Sequence, residues 1–126
     1  MALLDKVLGN AEEINPESVK EELGYIFIEG ETIQHAYRVI RDLMIFTNHR
    51  LVIVDKQGVT GSKLGIQSIP YKNIISFTIN TAGTLDLDSE LYIYVKEMLP
   101  ILKAFKSDDL IFEVQAVLME HVILEK

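Results

Sequence analysis

No cysteine occurs in the 126 residues, so neither a disulfide framework nor a thiolate site can be built. Long apolar runs are missing too. Stretches such as Leu51–Val54 and Leu91–Val95 end after a few residues, whereas a spanning helix needs about 20. The first ten residues lack a basic start followed by an apolar segment, which argues against a secretory leader and makes the cytoplasm the expected location. There is no HxH or HExxH spacing, no serine elbow and no phosphate-cradling glycine loop. Paired acids are common, but carboxylates on solvated strands have no reason to acquire the raised pKa that acid catalysis needs. The expectation is a protein that is not an enzyme, with no cofactor.

Basic charge is scarce as well. The net charge of −7 is distributed unevenly: −5 over residues 1–30, +3 over 31–80 and −5 over 81–126. Such an acidic chain is a poor partner for nucleic acid or anionic lipid, with only the middle third as an exception. What remains is ordinary for one globular domain: 48% hydrophobic and 25% charged residues, with no internal repeat or low-complexity tract.

The chain is organised around Arg41–Gln57. Leu43–Phe46 and Leu51–Val54 are β-rich runs separated by Thr47-Asn48-His49-Arg50, and Asn48 tolerates the backbone of a tight turn. Both faces of both strands are apolar, which predicts a hairpin covered on both sides. Arg41–Asp42 and Arg50–Asp55 are expected ion pairs around it. Alternation and turn residues predict further strands at Ile33–Val39, Val59–Ser68, Ile74–Asn80, Glu90–Lys96 and Pro100–Lys106. In the long strand from Val59, Gly61 and Gly65 suggest a bend. Seven antiparallel strands that need closing predict a small barrel. Ahead of them, residues 1–29 read as a helical arm, and residues 30–126 as the domain proper. Leu3, Leu4, Val7, Leu8 and Ala11 mark a first short helix. Asn15-Pro16-Glu17 starts a second helix, which stops at Gly24.

Ser107-Asp108-Asp109 starts a last helix running to about Leu124. At about 100° per residue, Leu110, Ile111, Val114, Val117, Leu118, His121, Val122 and Leu124 share one broad face. Phe112, Ala116, Met119 and Ile123 gather on nearly the opposite face. The first stripe caps the strands. The second has nowhere to hide in a monomer and predicts contact between copies.

The residues resemble the bacterial pleckstrin-homology family. The likeness rests on Gly30-Glu31, Arg41-Asp42, Phe46-Thr47-Asn48, Arg50-Leu51 and Asp55-Lys56-Gln57-Gly58. It continues through Thr60-Gly61, Lys63, Ser68-Ile69-Pro70-Tyr71-Lys72, Thr81-Ala82-Gly83, Asp86-Leu87-Asp88 and Glu90-Leu91. The resemblance implies a mainly β, PH-like seven-stranded antiparallel barrel of two packed sheets, capped by a C-terminal helix. It also implies ring-like homo-oligomers, and it carries no settled biochemical activity. The leading expectation is a non-catalytic scaffold whose partner is itself. In eukaryotic relatives of the fold, basic residues on the first hairpin hold phosphoinositides, so Arg38 and Arg41 are candidates for a lipid- or ligand-binding side. Two arginines are few for a highly charged headgroup.

Asp86, Asp88 and Glu90 alternate and would point the same way on a strand, as the start of a metal site. The glycine turn and distal acid of a calcium loop are missing, so a solvated carboxylate row is the expected reading and no metal is assigned. His121, inside an apolar stripe, reads as a core or interface residue, and His49 as an exposed turn residue.

Overall fold

The structure is a computed structural model that describes residues 12–39, 42–57, 63–83, 88–106 and 108–124. The chain divides into two compact units, one ending at Ile69 and the other beginning at Pro70.

In the first unit, strand β1 (Glu12–Glu13) leads into helix α1 (Pro16–Leu23) and a single 3-10 turn at Gly24–Ile26. Strands β2 (Ile33–Val39), β3 (Asp42–Thr47), β4 (Arg50–Gln57) and β5 (Lys63–Pro70) follow, giving one sheet in the order β1-β2-β3-β4-β5. Helix α1 begins as its sequence dictates. The Asn15 side chain accepts the Glu17 amide at 2.9 Å, and Pro16 contributes a fixed φ where its missing N–H costs nothing. Only one stripe of the helix is buried, Val19 and Leu23. They join Ile14, Ala36, Leu43, Ile45, Val52 and Val54 in a core that Phe27, Ile33 and Leu64 partly cover.

The β3–β4 hairpin is antiparallel with Leu43 opposite Val54, Ile45 opposite Val52 and Phe46 opposite Leu51. Leu43 to Thr47 and Leu51 to Val54 are all buried, on both faces. On the face opposite α1, Tyr37 meets Phe46 edge-on at 6.1 Å.

The second unit holds a 3-10 turn at Tyr71–Asn73 and the sheet β6 (Ile74–Asn80), β7 (Ser89–Val95), β8 (Ile101–Phe105). Helix α2 (Asp108–Leu118) continues into a π-helical segment, Met119–Leu124. One face of this unit's sheet is apolar and closed, with Leu91, Ile93 and Phe105 fully buried. Helix α2 packs against β7 and β8 through Leu110, Ile111, Val114, Val117 and Leu118.

Two expectations are corrected. The two antiparallel sheets expected are present, with five and three strands, but among the described residues the pairing does not close them into one seven-stranded barrel. Eight strands are found among the described residues where seven were expected, because the acidic Glu12–Glu13 pair, read as part of the arm, lies against Arg38 and Tyr37 as β1. The expected helix over Leu3–Ala11, Arg41, Gly61, Asp86 and the start of the Val59–Ser68 strand lie outside the described residues.

Candidate functional site

The hairpin turn and the chain entering β2 are joined by one polar node. The Glu31 carboxylate is 1% exposed and receives Arg50 Nε at 2.8 Å on Oε2 and Nη2 at 3.0 Å on Oε1. Thr47 Oγ1 donates to Oε2 at 2.8 Å, and the Ile28 amide to Oε1 at 3.3 Å. Arg50 Nη2 also donates to the Ile26 carbonyl at 2.6 Å, and Nη1 donates to the Ser68 hydroxyl. The guanidinium carbon lies 5.7 Å from the centre of the Phe27 ring.

The charged bonds from Arg50, with those from Thr47 and the Ile28 amide, hold the Glu31 carboxyl at about 2, against an ordinary 4.5, although burial pulls the other way. The same contact raises Arg50. A carboxylate so firmly ionised neither gives nor takes a proton near neutrality, so the node is a clamp and not an acid–base pair. Asn48 extends it: Oδ1 accepts the Thr32 amide at 2.8 Å and Nδ2 donates to the Gly30 carbonyl at 3.0 Å. Gly30 sits at φ 86°, in the left-handed region where a side chain is costly.

The expected Arg50–Asp55 pair is therefore replaced by Arg50–Glu31. The reason is geometric: five residues along β4 is roughly 16 Å, and an odd spacing puts the two side chains on opposite faces. The missed signal was the acid beside Gly30, whose partner lies 19 residues away.

Beside the clamp, α1 and the segment Phe27–Ile33 enclose a pocket of about 430 Å³. Pro16, Glu17, Lys20 and Gly24 line one wall, at i, i+1, i+4 and i+8 on a single helix face next to the buried Val19–Leu23 stripe. Phe27, Ile28, Glu29, Glu31, Thr32 and Ile33 line the other. Nothing in the sequence patterning marks this cavity, because it forms where a helix and a loop meet.

Arg38 is 5% exposed on β2, and its guanidinium is paired with Glu12. The first of the two lipid candidates is thus already committed, and Arg41 lies outside the described residues. The stripe Phe112, Ala116, Met119 and Ile123 is where the periodicity places it: Phe112 is 47%, Met119 37% and Ile123 49% exposed, and Ala116 is exposed too. His121, on the opposite face, is buried and stacks on Tyr71 with ring centres 4.3 Å apart. His49 is exposed at the hairpin turn. Asp88 precedes β7, Glu90 lies within it, and no group of three metal-ligating side chains forms among the described residues. Nor does any helix among them have the length and apolarity to cross a membrane.

Comparison with known proteins adds the following. Residues 2–122 match the bacterial PH domain family. The chain is 48% identical over 120 residues to the uncharacterized protein YjqA of Bacillus subtilis (strain 168), spanning 94% of this chain and 96% of YjqA. Among solved structures it is similar to a DUF1696 family protein with a pleckstrin-homology domain from Shewanella loihica PV-4, at 41% identity and TM-score 0.78. That match covers 91% of this chain and 99% of the other. A pleckstrin homology domain from Shewanella amazonensis SB2B matches at 38% identity and TM-score 0.76, covering 86% of this chain and 99% of its own.

Proposed function

Because the chain belongs to the bacterial PH domain family, we propose that it works as a non-catalytic interaction domain that self-associates through α2 and the π-helical turn after it. The observation that carries this reading is the second apolar stripe. Phe112, Met119 and Ile123 stay between 37% and 49% exposed, although the opposite face of the same helix is sealed. Burying such side chains contributes roughly 1–2 kcal/mol each, and four on one rod give a contact patch of the kind that joins subunits. A ring needs such a patch to meet a different surface on the next copy, with a rotation that closes.

The lipid-binding alternative has less support, since Arg38 spends its charge on Glu12. Light scattering tests the proposal: an assembly is expected at tens of micromolar, and a strict monomer there ends it. Replacing Phe112 and Met119 together with Glu is expected to give monomers with an unchanged melting temperature. If that variant unfolds, the two side chains belong to the core and the reading is wrong.

A further inference from the structure

We infer that the pocket between α1 and the Phe27–Ile33 segment is a docking site for a basic peptide segment carrying apolar anchors, supplied by another protein. Three independent features of the first unit point there. The cavity, about 430 Å³, falls within the roughly 300–1,000 Å³ of ligand-holding pockets. Its lining is mixed: Phe27 and Ile33 present apolar surface continuous with the core, and Glu17 and Glu29 stand exposed beside them.

The surroundings are net acidic, with Lys20 in the wall as the opposing charge. Leaving aside Glu12, Glu22 and Glu31, the segment 12–33 still sets Glu13, Glu17, Glu21 and Glu29 against the single Lys20. Complementarity therefore selects Lys or Arg and rejects phosphate or carboxylate groups. Apolar contact surface also continues beyond the cavity. Tyr25, next to the lining Gly24, is 73% exposed, and Ile28 in the other wall is 67% exposed. A small amphipathic cation would fill the cavity and leave these two bare, whereas a peptide covers both. Aromatic and apolar anchors around a concave centre, with charge around them, are the usual anatomy of such sites.

Gly24 makes the idea testable. Its φ is −53°, a helical value open to any residue, and a Cβ placed there meets no atom within 4 Å. A long side chain can therefore be placed at this position in the cavity wall without straining the backbone. The experiment is fluorescence anisotropy of the full chain with the labelled peptide Arg-Leu-Arg-Tyr-Arg. Glu-Leu-Glu-Tyr-Glu and Arg-Ser-Arg-Ser-Arg serve as controls.

The basic, apolar peptide is expected to bind at least about tenfold tighter than either control, and more weakly as salt is raised. Gly24→Met is expected to weaken it about tenfold or more with the melting curve retained. Glu17→Lys and Glu29→Lys, both at exposed positions, are expected to do the same by charge, so the test survives if the glycine variant fails to fold. Equal binding to wild type and a folded Gly24→Met would mean diffuse acidic attraction and overturn the proposal. So would no binding at all. A change in solution mass on filling the pocket would assign it to contact between copies, and that too would overturn it.

Discussion

Replacing Glu31 with Gln removes the charge at the clamp and keeps the shape, so its effect should depend on pH in a defined way. The native carboxyl sits at about 2 against an ordinary 4.5. At about 1.4 kcal/mol per pH unit, that difference corresponds to roughly 3 kcal/mol. Arg50 is 21% exposed, so solvent screening reduces the figure to about 2 kcal/mol. A depressed folded-state pKa gives stability that is complete above the unfolded value and is lost as pH falls through the folded one. The window therefore runs from 4.5 down to about 2. The assay is urea unfolding of wild type and Glu31→Gln across that window and at neutrality. The variant is expected to be about 2 kcal/mol less stable at neutral pH. The gap should shrink toward zero at the acid end, where the wild-type carboxyl is itself protonated. A gap that stays constant through the window, or one below about 0.5 kcal/mol at neutrality, would refute the assignment of Arg50 as the cause.

Other perturbations act on single features. Asn15→Ala removes the acceptor for the Glu17 amide and is expected to cost about 1 kcal/mol, read as a lower urea midpoint with an unchanged slope. Gly30→Ala forces a side chain into the left-handed region and is expected to cost about 1–2 kcal/mol by the same assay, although a Cβ there meets no neighbour within 4 Å. Asn48→Ala removes side-chain bonds to Thr32 and Gly30 and is expected to cost about 1–2 kcal/mol, with faster amide exchange at Thr32.

Local physics was legible in the sequence; pairing across distance was not. The double-sided hairpin followed from apolar residues at consecutive positions and the polar break between them, but the turn amides of His49 and Arg50 donate to Thr47 Oγ1 and not to Asn48. The start of α1 followed from Asn15-Pro16, and the two stripes of the last helix from its period, except that Leu124, expected on the buried face, is 70% exposed at the end of the π-helical segment. Each of these signals lies within a few residues. The Glu31–Arg50 clamp joins positions whose proximity depends on the sheet being formed, and Asp55 was nearer in sequence but on the wrong face. Arg38 misled for a related reason: a cation between Tyr37 and Val39, in a strand end buried on both sides, needs a partner, and Glu12 supplies it through β1. The pocket and the final π-helical segment arise from packing that no short window of residues encodes.

The central hairpin also limits how this kind of chain can diversify. From Leu43 to Phe46 and from Leu51 to Val54 every side chain is walled in, so no position there can be altered to meet a new partner without disturbing the interior. Novelty has to be written at the margins instead, on the last helix, on the Tyr25–Glu29 loop and along the sheet rims, while the middle is inherited as a unit.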